Sequence, residues 1–274
     1  RSKQQETLFP YTTLFRSGAI GLVSVTLGLL PGINQIVDLK APVRADAVGY
    51  YSYLPAIFVE QDITFSFLIS EDLTIESTFV TYNYSEDQAD GLGFIENPES
   101  DIYQNKYPVG VSLLSSPFYL LGHGISYLWG LQDNGYSVIH QYSVFGAGIF
   151  YGLVGLFFLY KSLNLLKLSR HVIWGSIIAT VFATPLLNYM TFENIFSHVY
   201  GFSLVSILLY LSLRIKKKII DEVSINAEIL GVGAVLGLLL TVRLTHLMFI
   251  ILPFLVILDA YRLSLKNLFN EIRK

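Results

Sequence analysis

Seven residues of this chain have a type and a setting that suit chemistry at a membrane surface: Asp46, Tyr50, Tyr51, Lys106, His198, Arg243 and His246. Asp46 stands in Arg44-Ala45-Asp46-Ala47-Val48-Gly49-Tyr50-Tyr51, beyond an apolar run at 18–37 and before an aromatic one at 47–59. A carboxylate there meets water at lipid depth, where it can take the proton of an acceptor hydroxyl while a lipid-linked substrate is held in the bilayer. The competing use is structural, because Asp is also a favoured helix cap. Lys106, in Asn105-Lys106-Tyr107-Pro108, and Arg243 with His246, in Val242-Arg243-Leu244-Thr245-His246, are cations suited to a phosphate. Arginine grips a phosphate through a bidentate fork, and a helix terminus nearby adds to the attraction. Lys106 can equally be a side chain snorkelling toward the interface. Arg243, set between two apolar segments, points more strongly to a polar cavity or a partner. His198, in Phe196-Ser197-His198-Val199-Tyr200 near Glu193, suits a substrate contact, a metal ligand or a hydrogen-bonded residue at a helix start. His123, His140 and His171 have no metal-ligand spacing, and Gly231, Gly233 and Gly237 read as small residues for helix packing rather than a phosphate loop.

Apolar helices must position these residues. Runs that reach or approach the length needed to cross a hydrocarbon core of about 30 Å lie at 18–37, 108–130, 141–160, 171–189, 195–213 and 227–260. The last is too long for one span, and Arg243 divides it into 227–242 and 245–260, since an uncompensated charge at mid-bilayer is expensive. Lys161, Lys167 and Arg170 in one short connection, and Arg214, Lys216, Lys217 and Lys218 in another, place both on the cytoplasmic side. Arg262, Lys266, Arg273 and Lys274 in the tail agree with them. The loop 35–107 is opposite in character, with thirteen Asp/Glu against the three cations Lys40, Arg44 and Lys106, and falls outside the cytoplasm. Were 108–130 a full crossing, the basic connection 161–170 would face outward; it therefore reads as a juxtamembrane or re-entrant helix, with a plain span as the alternative. Within the outer loop, 47–59 is too short to span, so Tyr50, Tyr51, Tyr53 and Phe58 are expected at headgroup depth. The segment 70–105, acidic and marked by Asn83, Asp90-Gly91 and Asn97-Pro98, reads as a mobile extracytoplasmic loop.

Composition supports the same fold class. Hydrophobic residues make up 53% of the chain and charged ones 14%, with a mean hydropathy of +0.52, far from the balance of a soluble domain. The expected architecture is an all-α integral membrane protein, a multi-span helical bundle whose extracytoplasmic first loop carries juxtamembrane helices. A net charge of −3, with basic residues gathered beside apolar runs, excludes a nucleic-acid partner. The lack of cysteine excludes disulfides, thiolate zinc sites and cysteine nucleophiles, and leaves open a divalent metal held by carboxylates and His. Residues 7–17, Thr-Leu-Phe-Pro-Tyr-Thr-Thr-Leu-Phe-Arg-Ser, match the translation of a sequencing-library adapter, so 1–17 is set apart as an artefact. Native sequence is expected from Gly18, and 18–274 is expected to be the N-terminal part of a longer membrane protein.

The order of these features resembles the bacterial family-39-like glycosyltransferases of the GT-C superfamily, the group of protein mannosyltransferases and aminoarabinose lipid A transferases. The likeness rests on Ala45-Asp46-Ala47-Val48-Gly49-Tyr50-Tyr51-Ser52-Tyr53-Leu54, on Lys106-Tyr107-Pro108-Val109-Gly110 with Leu113-Leu114 and Pro117-Phe118, on Ser197-His198-Val199-Tyr200-Gly201-Phe202, and on Val242-Arg243-Leu244-Thr245-His246. It implies a multi-span fold with juxtamembrane helices in the first outer loop and an Asp in that loop as catalytic base, which by position is Asp46. Lys106 and Arg243 fall where the superfamily places cations near the donor phosphate, His246 joins them, and Tyr50, Tyr51 and His198 are candidate substrate contacts. Many relatives carry a second acidic residue directly after the Asp; here Ala47 follows, which weakens a two-carboxylate or metal-binding version of the site.

The function so expected is inverting transfer of a sugar from a polyprenyl-phosphate donor to a lipid, glycan or protein acceptor at the outer face of the bacterial cytoplasmic membrane. It names no certain cofactor and leaves a divalent metal open. The rival from another class is a transporter or flippase of a lipid-linked saccharide, which would carry polar groups through the midplane of several helices and often an inverted repeat. A purely structural membrane scaffold is the third reading, in which Asp46 and Arg243 serve no common site.

Overall fold

The computed structural model describes residues 42–68, 76–77, 80–81, 93–97, 100–130 and 135–272. The expected span at 18–37, the stretch 1–17 and the rest of the loop 35–107 lie outside them. The described chain is mainly helical. In order its elements are α1 (Asp46–Pro55), a π-type turn (Ala56–Glu60), β1 (Glu76–Ser77), β2 (Val80–Thr81), β3 (Phe94–Asn97), β4 (Ser100–Asn105), α2 (Gly110–Leu128), α3 (Val138–Leu165), α4 (Arg170–Phe182), α5 (Leu186–Thr191), α6 (Ser197–Ile220), α7 (Asn226–Val242), a 3-10 segment (Leu244–Ile250) and α8 (Ile251–Ile272). The chain divides into two compact units, 1–150 with 185–199, and 151–184 with 200–274.

In the first unit, α1 opens on Asp46, whose negative charge suits the positive end of the helix dipole. Pro55 brings no amide to the helical ladder, and the turn that follows it widens to π-type. The helix was expected to lay its tyrosines at headgroup depth. Instead Tyr51 is fully buried and Tyr50 is 5% exposed. The Tyr51 hydroxyl donates to the Gly135 carbonyl at 2.6 Å, and its ring meets those of Tyr119 and Tyr136 at 5.9 and 5.3 Å between centroids. A stretch with apolar residues on every side of a helix is satisfied by protein as well as by lipid, and here it forms the core of the unit. Phe58, 37% exposed, keeps an outward face.

The segment 70–105 differs from the expected loop. It contains two antiparallel hairpins, β1 with β2 and β3 with β4, so the fold is not purely α. Asn97 closes β3 opposite Ser100 of β4. Phe94 points inward onto Phe65, while Ile95 and Ile102 face out, the alternation a half-buried hairpin requires.

In the second unit the expected span 171–189 does not form as one helix. The helix α4 ends at Phe182, and its 13 residues reach only about 20 Å at 1.5 Å per residue. Pro185 stands at the break and disfavours helical geometry in the residue before it. The break at Arg243 is as expected: α7 stops at Val242, Arg243 is extended at φ −164°, and the chain resumes at Leu244. The second half runs on to Ile272, well past the expected 260. Among the described residues, Val138–Leu165, Ser197–Ile220 and Leu244–Leu263 are long and apolar enough to cross a membrane; Gly110–Leu128 is not one of them.

The basic end of α6 is tied down by carboxylates. Glu228 on α7 meets Arg214 at 2.9 Å and Lys218 at 2.8 Å, and Asp259 on α8 meets Lys216 at 2.6 Å. Glu228 is 5% exposed, so its removal takes the carboxylate from two cations, of which Lys218 keeps its bond to the Ser224 carbonyl and Arg214 its place over the Tyr210 ring. Because the Arg214 side chain is 43% exposed, water screens part of that loss. Glu228→Gln is expected to cost about 1–2 kcal/mol, below the 3–5 of breaking a fully buried pair, and thermal unfolding in detergent measures it.

Candidate functional site

The site is built around Asp46. Ala45, immediately before it, has φ 48° and ψ −130°, a region that L-residues avoid and glycine enters freely. This strained residue occupies the cap position, so Asp46 is the first residue of the helix rather than its cap. Its carboxylate is exposed and accepts a hydrogen bond at Oδ1 from the Tyr107 hydroxyl at 2.7 Å. Backbone strain concentrates where surrounding structure over-determines a functional geometry, and it costs about 1–3 kcal/mol. Ala45→Gly is therefore expected to stabilise the chain by about 1 kcal/mol, the strain relieved less the 0.4–1 that glycine adds to unfolded-chain entropy. A rise in melting temperature with unchanged helix content is the readout.

Tyr107 is the residue that sequence reasoning missed. It follows β4 and lies across α1, 8% exposed, with its ring 4.8 Å from that of Tyr50. Gly49 makes that approach feasible: a Cβ there would overlap Tyr107 Cδ2 and lie 2.6 Å from Cε2. Three further bonds hold the tyrosine backbone and its neighbour. Tyr53 donates its hydroxyl to the Tyr107 carbonyl at 2.8 Å, Asn105 Oδ1 accepts from the Tyr107 amide at 3.0 Å, and Asn105 Nδ2 donates to the Gly49 carbonyl at 2.7 Å. From the next helix Ser112 donates its hydroxyl to the Tyr50 carbonyl. Burial, and then the bond to the Asp46 carboxylate, hold the Tyr107 phenol well above the ordinary tyrosine range, so it stays a proton donor. The signal in the sequence was Gly49, an isolated glycine inside a helical stretch, which marks a close approach.

Lys106 joins the same residue from the other side. It is exposed, its ammonium sits 5.0 Å from the centre of the Tyr107 ring, and its methylene stem lies along Gly93, where φ is +91° and a Cβ would come within 2.8 Å of Lys106 Cγ. Its backbone amide donates to the Gly93 carbonyl at 2.9 Å. A cation on a ring face gains about 0.5–1 kcal/mol at exposed sites. The hairpin that was read as a loop thus delivers Lys106 and Tyr107 to the head of α1. Asp46 and Lys106, sixty residues apart in sequence, touch two parts of one tyrosine.

The other expected residues are placed differently. Tyr51 has no exposed surface to offer a substrate, and Tyr50 almost none; both act through packing. His198 is exposed and stacks on Tyr189 at 4.1 Å between centroids, in the first unit with Asp46. Arg44 reaches into the same stretch, donating to the Phe192 carbonyl at 3.4 Å. Arg243 and His246 belong to the second unit. The Arg243 side chain is exposed, and the His246 amide donates to the Arg243 carbonyl at 2.9 Å. The His246 ring lies over Gly201, where a Cβ would come within 2.6 Å of it.

His123 and His140, whose spacing carried no message, meet across α2 and α3. His123 Nδ1 is 3.1 Å from His140 Nε2, and the other nitrogen of His140 is 2.7 Å from the Ser137 hydroxyl. The spacing of 17 residues spans a helix end, a connection and a helix start, so no periodicity could reveal it. Among the described residues no group of three or more His, Asp or Glu is arranged to hold a metal. Compared with protein families, with curated proteins and with solved structures, the chain has no match.

Proposed function

We propose that the chain is a membrane-embedded glycosyltransferase of the GT-C type, moving a sugar from a polyprenyl-phosphate donor to a lipid, glycan or protein acceptor. The observation that carries this reading is the juxtaposition at the head of α1: an exposed carboxylate, Asp46, held at 2.7 Å by a buried phenol whose ring also seats the ammonium of Lys106. A base and a phosphate-seeking cation gathered at one place suit a transfer in which an acceptor hydroxyl loses a proton as a phosphate departs.

In the proposed step the acceptor oxygen attacks C1 of the sugar while Asp46 takes its proton. The C1–O bond to the lipid phosphate breaks, and its electron pair leaves with the polyprenyl phosphate. Attack opposite the leaving group inverts the configuration at C1. Lys106 stabilises the charge that grows on the departing phosphate. Ala47 beside Asp46 offers no second carboxylate, so the step uses a single base. The candidate spans Val138–Leu165, Ser197–Ile220 and Leu244–Leu263 anchor the chain in the bilayer. With α4 and α5 together, and α7, carrying the chain back between those spans, both basic connections mark the cytoplasmic side, and the acidic stretch with Asp46 faces outward, at the surface of the bacterial cytoplasmic membrane.

The test is to reconstitute the chain in lipid nanodiscs with a pool of polyprenyl-phosphate sugars and candidate acceptors. Glycosylated acceptor with an equal amount of free polyprenyl phosphate is the expected result. Saccharide that crosses a vesicle bilayer still attached to its lipid, with no polyprenyl phosphate released, would replace this reading by a flippase.

A further inference from the structure

We infer that Tyr107 is the positioning residue of this site: its hydroxyl fixes the Asp46 carboxylate while its ring seats Lys106, so that base and cation are set by one side chain. The inference rests on the transferase reading and adds to it the element that links the two charged groups. Asp46 sits in the first turn of α1, exposed, on a side chain with two free torsions. Left alone such a carboxylate samples several rotamers. The phenol of Tyr107 occupies Oδ1 at 2.7 Å, which leaves Oδ2 as the oxygen that faces an acceptor. The phenol is itself immobile: 8% exposed, seated on Gly49, and tied through its backbone to Tyr53 and Asn105.

Lys106 is adjacent in sequence, yet its contact with the ring is a matter of geometry. The stem is laid along Gly93 and the ammonium turns back over the ring at 5.0 Å. A phosphate approaching Lys106 therefore meets an ammonium already seated on the tyrosine that holds the base, and the ring keeps the cation in place while the hydroxyl keeps its bond to Asp46. The two functions are separable by substitution. Tyr107→Phe deletes the hydroxyl and keeps a ring for Lys106; Tyr107→Leu deletes both.

The experiment measures transfer by the full chain in nanodiscs for wild type, Tyr107→Phe, Tyr107→Leu, Asp46→Asn and the double variant Asp46→Asn/Tyr107→Phe. Tyr107→Phe is expected to lower kcat about tenfold with donor KM unchanged, the pattern of a lost interaction made in the transition state. Tyr107→Leu is expected to raise donor KM as well. The double variant is expected to be no slower than Asp46→Asn, because a residue that acts through Asp46 has nothing left to act on. Losses that multiply in the double variant, or wild-type kcat in Tyr107→Phe, would overturn the inference while leaving the transferase reading intact. Wild-type transfer by Asp46→Asn would instead remove Asp46 as base. A second readout needs no turnover: the ionisation of Tyr107, isolated as the difference between wild type and Tyr107→Phe, is expected to fall toward the ordinary tyrosine range in Asp46→Asn. An unmoved ionisation would show that the phenol and the carboxylate do not interact, and would overturn the inference even in a chain that transfers no sugar.

Discussion

Asp46→Asn is expected to lower the rate of sugar transfer by about 10²–10⁴, the range that a positioned general base contributes, with the protein still folded. The substitution is nearly isosteric, and the amide oxygen can keep accepting from the Tyr107 hydroxyl, so the local structure has little reason to change. What is lost is the basicity. The carboxylate is exposed and is the only acidic residue within the first turn of α1, so no neighbour on that turn can replace it. Equal helix content and melting temperature in both proteins, with the rate collapsed, would place the defect in chemistry. If Asp46 served the helix dipole alone, the result would be the reverse: a loss of about 0.3–1 kcal/mol in stability with the rate preserved.

Gly49→Ala carries the second large effect, and two opposing terms decide its sign. Alanine is the better helix former by about 1 kcal/mol, and by that measure the change would stabilise α1. Against it, the new methyl would overlap Tyr107 Cδ2 and lie 2.6 and 2.9 Å from Cε2 and Cγ. The ring cannot retreat without breaking its bond to Asp46 or the backbone bonds to Tyr53 and Asn105. Overpacking of this kind costs about 1–3 kcal/mol, so the clash wins and Gly49→Ala is destabilising. Transfer should fall at least as far as in Tyr107→Phe, because a displaced ring loses Asp46 and Lys106 together. The control reverses the sign: in a Tyr107→Ala background there is no ring to strike, and Gly49→Ala should become neutral or stabilising. A methyl that destabilises both backgrounds equally would mean that Tyr107 does not occupy the space above Gly49.

The unequal placement of the expected residues has one physical cause. Features that depend on local composition were legible. A charge between apolar segments interrupts a helix because its burial is costly, and Arg243 does so in the expected place. Apolar runs at 141–160 and 195–213 became helices a few residues longer at both or one of their ends, Val138–Leu165 and Ser197–Ile220. The span at 171–189 failed because a hydropathy window does not register that Pro185 ends a helix that began at Arg170. The burial of Tyr50 and Tyr51 was not legible for a related reason: an aromatic ring is as well satisfied by protein as by a headgroup layer, and packing partners such as Tyr119 and Tyr136 are set by the tertiary fold.

By itself, then, the sequence determined the helical character of the described chain, the apolar runs at 141–160, 195–213 and 245–260 that lie within its candidate spans, the break at Arg243, and Asp46 and Lys106 as groups with chemical capacity. These follow from hydropathy, length and charge, which act within a few residues. The tertiary structure alone decided that Asp46 and Lys106 meet on Tyr107, that His123 faces His140, and that Tyr51 is core. Those pairings depend on a hairpin folding back 61 residues onto α1 and on two helices facing each other, and side-chain contacts across such distances are set by packing, to which no local pattern in the chain corresponds.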